Sequence, residues 1–383
     1  MSPYSVHGVA FDDLARIFSA RHQNNEVLEI EILPPGLGPL LQDGNSVGIT
    51  KKYLVQAFIT ARRIFFNALN GTSVIEPGHE NTISPCGPWN YASDELLIVS
   101  TEIILLFDCE HLTACNWRKR RLAAFIQRHD LADSDVDSLW SLVDALGKEL
   151  SMTKTFLCSR LHRHTKSPTL WNHRLWALTR LIRIQELEKA ASAPRRQLDE
   201  FAHGTIPGIT NDELTMVLRA GELHPRNYYA FSYMRAVIHI ATDTSESGQN
   251  ASTILAESMM PKALRWCLAH PADISGWAFT NFLLEKVSRG EIRRNAVSQA
   301  IQFALDIGWK GESLWVFVCS ASTSLDGETM IEDGPWASRW NALAGDSLPK
   351  SGLKDGWRVW LERARAAWAA DPPVNENNGQ PST

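Results

Sequence analysis

One block recurs along the chain and constrains its fold more than any other feature: a helix ends, a short polar turn follows, and a bulky side chain opens the next helix. The instances are LFDCEHLTACNWRKRRL at 106–122, HRHTKSPTLWNHRLWAL at 162–178, ELHPRNYYAFSYMRAVI at 222–238, LAHPADISGWAFTNFLL at 268–284 and DIGWKGESLWVFVCS at 306–320. Cys115, Trp171, Phe231, Trp277 and Trp315 hold the anchor position, at unequal intervals of 56, 60, 46 and 38 residues. Repetition on this scale, with loops of varied length, predicts helical hairpins stacked side by side, each burying its apolar face only against its neighbours. Three positions past the anchor the first two copies carry Arg118 and Arg174, which helical geometry puts one turn on and on the same side. A Trp-x-x-Arg pair of this kind is expected to stack and pin the next helix. Met234, Thr280 and Val318 replace the arginine in later copies, so the motif decays toward the carboxyl end.

Composition agrees with a packed helical protein. Fourteen Trp among 383 residues is a high density of large packing groups. A net charge of −5 supplies no positive field for a nucleic-acid backbone or an anionic membrane, so nucleic acid is not an expected partner. The amino terminus, MSPYSVHGVAFDD, lacks the basic stretch and apolar run of a signal peptide, and no segment offers the ~20 apolar residues of a membrane span. A cytoplasmic location is expected. The six cysteines include no Cys-x-x-Cys pair and read as small core hydrophobes, not as a redox couple or zinc ribbon.

The resulting fold class is all-α, an α-α superhelix or solenoid of antiparallel hairpins behind a small amino-terminal cap. Residues 1–50 form the cap, with a helix around Phe11 to Arg21 and a short strand in which Leu28, Ile30 and Ile32 alternate before Pro34-Pro35. Residues 51–370 form the solenoid, with repeats near 94–122, 150–182, 211–240, 255–286 and 295–320. A breaker-rich interval at 191–210 separates two groups of helices, the second opening at a capping candidate, Thr210-Asn211-Asp212-Glu213. The tail at 371–383, DPPVNENNGQPST, is too polar to order itself.

The stretch Leu170 to Leu178, with Trp171, Asn172, His173, Arg174 and Trp176, resembles the protein prenyltransferase alpha-subunit repeat, as does His224-Pro225-Arg226-Asn227-Tyr228-Tyr229-Ala230-Phe231. The segment DELLIVSTEIILLFDCEHLTACNWRK, with Trp117 and Arg118 near its end, is similar to the family's first repeat, and Thr165-Lys166-Ser167-Pro168 is most like the subgroup of alpha-subunit repeat-containing proteins. The resemblance covers roughly residues 93–240. It implies a helical crescent that wraps a barrel-shaped beta subunit, with zinc, thiol activation and the isoprenoid pocket all in that partner. It therefore implies no cofactor or metal in this chain, and the chain is expected to be inactive alone.

The same resemblance implies two residues near the chemistry. Lys166 and Tyr228 match positions that approach the isoprenoid diphosphate at the subunit interface, where a cation and a phenol would stabilise charge on the departing group. Here Ser167-Pro168 stands where the family has Asn-Tyr, and about 25 extra residues precede the next repeat. The expected function is the alpha-type subunit of a geranylgeranyltransferase, less so of a farnesyltransferase, acting on protein substrates with a carboxyl-terminal cysteine. A non-catalytic repeat adaptor is the alternative. His162, His164 and His173 invite a metal site, but His162 and His164 are two apart and cannot share a helical face, so exposed or capping roles are expected instead. Trp117-Arg118-Lys119-Arg120-Arg121 spreads around a helix and reads as a solvated or intersubunit face near Asp94 and Glu95.

Overall fold

Helices in pairs are what the repeat predicts, and the computed structural model, which describes residues 8–24, 26–70, 91–128, 136–161, 163–190, 206–243, 248–323 and 356–369, is mostly helical. In chain order the elements are α1 (Val9–Asn24), β1 (Glu29–Leu33), β2 (Leu40–Asp43), β3 (Ser46–Thr50), α2 (Lys51–Leu69), α3 (Tyr91–Phe107), α4 (Leu112–Arg128), α5 (Val136–Cys158), α6 (Pro168–Ala190), α7 (Ile206–Leu223), α8 (Tyr228–Asp243), α9 (Gly248–Ala269), α10 (Ile274–Lys286), α11 (Gly290–Ile307), α12 (Glu312–Thr323) and α13 (Gly356–Ala369). A 3₁₀ turn, His164–Lys166, lies between α5 and α6. The expected tail at 371–383 lies outside the described residues.

The chain divides into two compact units. The first takes in residues up to Gly208 together with Glu222–Val237; the second takes in Ile209–Gly221 and residues from Ile238 onward. Within the first, α2 packs on α1 and α3, α3 pairs with α4, α5 pairs with α6, and α4 also lies against both α5 and α6. Leu122, Leu142, Leu146, Ala177 and Ile184 interlock those last three helices. Within the second, α9 pairs with α10 and α11 with α12, while α9 also touches α11 and α10 touches α12. First helix on first helix and second on second is the contact pattern of neighbouring hairpins.

Helix α2 illustrates how the pattern encodes the packing. Leu54, Ala57, Ala61 and Phe65 recur at helical spacing and are its buried residues. In the second unit, close approach is set by a missing side chain. A Cβ on Gly276 would sit 2.4 Å from the Trp266 ring, so glycine is what lets the start of α10 meet α9.

The cap is more elaborate than one strand. The three strands form a sheet in the order β1-β3-β2, with β1 parallel to β3 and β2 antiparallel to it. The hairpin between β2 and β3 turns at Gly44-Asn45, with Gly44 at φ 55°, a left-handed conformation that glycine adopts without penalty. Leu28 and Ile30 are buried as expected, but Ile32 is 43% exposed and Leu33 takes the buried place. The outer edge of β1 and the residue before it are satisfied by hydroxyls at the end of α5, the Leu28 and Ile30 amides donating to Thr155 Oγ1 at 3.1 Å and to Oγ of Ser159, just past the helix, at 2.9 Å.

Helix α7 also departs from expectation. It begins at Ile206, so Thr210 is a buried residue inside the helix and not its cap. Pro207 is accommodated because the first turn of a helix leaves its amides without intrahelical partners.

Candidate functional site

The turns before the first four anchors are built by one device. The residue four places before the anchor caps the coming helix: His111 Nδ1 accepts from the Ala114 amide at 3.2 Å, Ser167 Oγ from Leu170 at 3.1 Å, Asn227 Oδ1 from Ala230 at 3.2 Å, and Asp273 Oδ1 from Ser275 at 2.9 Å. Where the anchor is Trp, its indole N–H closes the turn on the carbonyl six residues back. Trp171 donates to Thr165 at 2.9 Å, Trp277 to Pro271 at 3.0 Å and Trp315 to Trp309 at 3.1 Å. Cys115 and Phe231 fill the same buried position without a donor of this kind.

In the first unit the capping residue also reaches back to the preceding repeat. Ser167 Oγ donates to the Cys109 carbonyl at 3.0 Å, and Asn227 Nδ2 donates to the Thr165 carbonyl at 2.7 Å. The accepting carbonyl is in both cases six places before the previous anchor. Successive turns are thereby stitched together, and Tyr233 of α8 packs on Trp171 of α6 with ring centroids 5.0 Å apart.

The two arginines do not act by stacking on an aromatic anchor. Arg118 Nη1 donates to the Ile98 carbonyl and Thr101 Oγ1 of α3, both at 2.8 Å, while its Nε donates to Glu149 of α5 at 2.9 Å. Arg174 makes the corresponding bonds to its own preceding helix, its Nη1 donating to the Leu150 carbonyl at 2.5 Å and Thr153 Oγ1 at 3.0 Å. Each arginine pins its own hairpin through the helix before it, and Arg118 reaches the helix after it as well.

Glu149 is a centre the sequence reading did not foresee. It is buried, and it accepts from Arg118 and lies 2.8 Å from His173 Nε2. Burial opposes its ionisation most strongly, yet the Arg118 guanidinium and the His173 ring outweigh that and hold its carboxyl well below the usual range. Glu102 is the counterpart on α3, ion-paired with Arg21 at 2.8 Å and His22 at 2.9 Å, and likewise held ionised against burial. A single carboxylate inside the apolar run LLIVSTEIILLF is the signal that would have found it.

The histidines are also corrected. His164 is buried with Nε2 3.0 Å from the Leu105 carbonyl, and burial pushes its ring down to about 4, so it is neutral. His173 is fully buried against Glu149, so neither is exposed or capping; His162 lies outside the described residues. Among the described residues no group of His, Cys, Asp and Glu is arranged to hold a metal ion, and no helix is long and apolar enough to cross a membrane.

Lys166 sits half-buried on the 3₁₀ turn, and its ammonium makes no hydrogen bond or ion pair with a described residue. Tyr228 opens α8 and is 61% exposed, two residues after Arg226, whose φ of 58° turns the chain sharply. The bond from Asn227 to Thr165 joins the immediate neighbours of these two residues, so the two turns lie side by side. Leu112, at the same place in its repeat as Tyr228, is also exposed, at 62%.

Most of the remaining motif residues pack. Trp117 sets its edge on Phe65 of α2 at 5.9 Å, Trp277 lies against Phe317 at 4.7 Å, and Trp315 against Trp357 at 6.1 Å. Pro225 and Asn172 are exposed, and Trp176 is half-buried beside His173. Of the basic cluster, Arg118 is buried, while Arg121 pairs with Asp94 at 2.6 Å as its neighbourhood suggested.

Capped turns, indole-to-carbonyl closures at the Trp anchors and, in the first two copies, arginine pins define a helical-hairpin repeat protein. Comparison with known proteins narrows the class. The ECM9 middle domain family matches residues 175–302. The chain is 30% identical over 194 residues to protein prenyltransferase alpha subunit repeat-containing protein 1-A of Xenopus laevis, a match covering 51% of this chain and 38% of that protein. It is 28% identical over 233 residues to protein 1-B of the same organism, covering 59% and 47%, and 25% identical over 200 residues to the Danio rerio protein, covering 51% and 39%. The chain is thus a distant homologue of these repeat-containing proteins and spans less than half the length of each.

Proposed function

We propose that this chain is the alpha-type subunit of a heterodimeric protein prenyltransferase, supporting transfer of a geranylgeranyl group from its diphosphate to a carboxyl-terminal cysteine of cytoplasmic protein substrates. The bond-forming chemistry and any zinc belong to the beta subunit. The observation that carries the reading is the Asn227–Thr165 bond, which sets the turns of Lys166 and Tyr228 together, with the ammonium unpaired among the described residues and the phenol largely exposed. A cation and a hydroxyl on adjoining turns are suited to holding a diphosphate as its charge grows, and removal of such a group costs on the order of 10²-fold in rate. The homology to alpha-subunit repeat-containing proteins supports the partnership.

The test is to co-express the chain with candidate beta subunits and incubate the purified pair with labelled geranylgeranyl diphosphate and cell extract. Label should enter protein only when both subunits are present, and Lys166→Ala should reduce the rate while the pair still forms. Labelling by the isolated chain, or recovery of other proteins but never a beta subunit from the native cell, would defeat the proposal; the second result would favour a repeat adaptor.

A further inference from the structure

Helices α4 and α6 leave between them a trough of about 570 Å³. Its charged lining is entirely cationic: Lys119 from α4, and Arg180 and Arg183 from α6. Neighbouring arginines are already engaged, Arg118 with Glu149 and Arg121 with Asp94. Lys119, Arg180 and Arg183, by contrast, form no ion pair with any described residue, in a chain whose net charge is −5. The guanidinium of Arg180 instead rests 5.7 Å above the ring of Trp176, which holds it at the trough wall.

The shape separates a peptide from a compact anion. Along α6 the lining runs from Pro168 to Arg183, which at the rise of a helix is roughly 22 Å, the reach of about six or seven extended residues. Trp176 and Leu175 add apolar surface to the same lining, and the exposed Asn172 lines it too. A small phosphate would engage one end only. A strand-like acidic segment can meet both walls and use the apolar surface as well.

We propose that this trough binds an extended acidic segment of a partner protein, with Lys119, Arg180 and Arg183 pairing its carboxylates and Trp176 packing against an apolar side chain between them. The proposal does not depend on the prenyltransferase reading and would hold for an adaptor equally.

The experiment uses the purified full chain and a fluorescein-labelled peptide, Asp-Glu-Leu-Glu-Asp-Phe repeated twice, with anisotropy read at low salt. Saturable binding is expected, weakening as salt rises, and absent for the same peptide with Asn and Gln in place of Asp and Glu. Combined Arg180→Glu and Arg183→Glu should weaken it by about tenfold or more. Arg120→Glu, on an exposed position outside the trough, should not change it. Unchanged circular dichroism melts verify that the variants are folded. No binding, equal binding of the amide peptide, equal binding by the double variant, or displacement by stoichiometric inorganic diphosphate would each overturn the proposal.

Discussion

Glu149→Gln is the most informative single change. It keeps the shape of the side chain and removes a buried negative charge that answers Arg118, itself 1% exposed. The guanidinium keeps its bonds to Ile98 and Thr101 but loses its counter-ion in a site water does not reach. Breaking one side of a buried pair costs about 3–5 kcal/mol, which for a unit of this size lowers the melting temperature by roughly 10 °C. Calorimetry at pH 7 measures it directly. The acid side adds a second readout. Because the carboxyl of Glu149 is held below its unfolded value of about 4.3, its contribution is fully present above that pH and is lost as pH falls toward the folded value. The variant should therefore lose less stability than the parent on acidification below pH 5. Replacing both partners, Arg118→Met with Glu149→Met, should cost less than Glu149→Gln, since no buried charge is left alone. If Glu149→Gln melts within a degree or so of the parent, or the double change is the more damaging, the network does not hold α3, α4 and α5 as argued.

Asn227→Ala should destabilise the first unit by about 1–2 kcal/mol in urea titration, as it removes both a helix cap and the bond to Thr165, whereas Trp171→Phe should cost about 1 kcal/mol for one lost donor. Gly276→Ala should cost about 1–3 kcal/mol through overpacking against Trp266, and Trp266→Leu in the same chain should recover part of it. In NMR titration the His164 ring should remain neutral from pH 7 to 5, titrating only near 4; the stability it contributes is full above its unfolded value of about 6.5 and declines as pH falls. Burial pushes the thiols of Cys115 and Cys267 up to about 12, so mass spectrometry after iodoacetamide at pH 8 should find both unmodified until the chain is unfolded.

Much of the architecture was legible because hairpin repeats write themselves into sequence through period and punctuation. The anchors Trp171, Trp277 and Trp315 marked the helix starts, and the apolar spacing of α2 marked its buried face. The β2–β3 hairpin was missed because its strands are short and β2 is largely exposed, although Gly44-Asn45 was a turn signal in plain view. The start of α7 was misplaced because Pro207 reads as a breaker, when in a first turn it breaks nothing. His164 and His173 were read as exposed or capping, and the basic cluster that holds Arg118 as a solvated or intersubunit face, although Arg118 itself was also expected to pin a helix. Their burial depends on partners 24 to 59 residues away, Glu149 and the Leu105 carbonyl, and local pattern carries no record of such pairings.

The path of the chain between the two units has a practical outcome. After Gly208 it contributes Ile209–Gly221 to the second unit and then returns to supply Glu222–Val237 to the first. Asn227 and Tyr233 arrive only on that return, so a fragment cut at 208 would leave the Thr165 carbonyl and the face of Trp171 short of their partners. Neither unit can be excised by a single cut. A ribosome making this protein must therefore emit residues assigned to the later unit before the earlier one is finished.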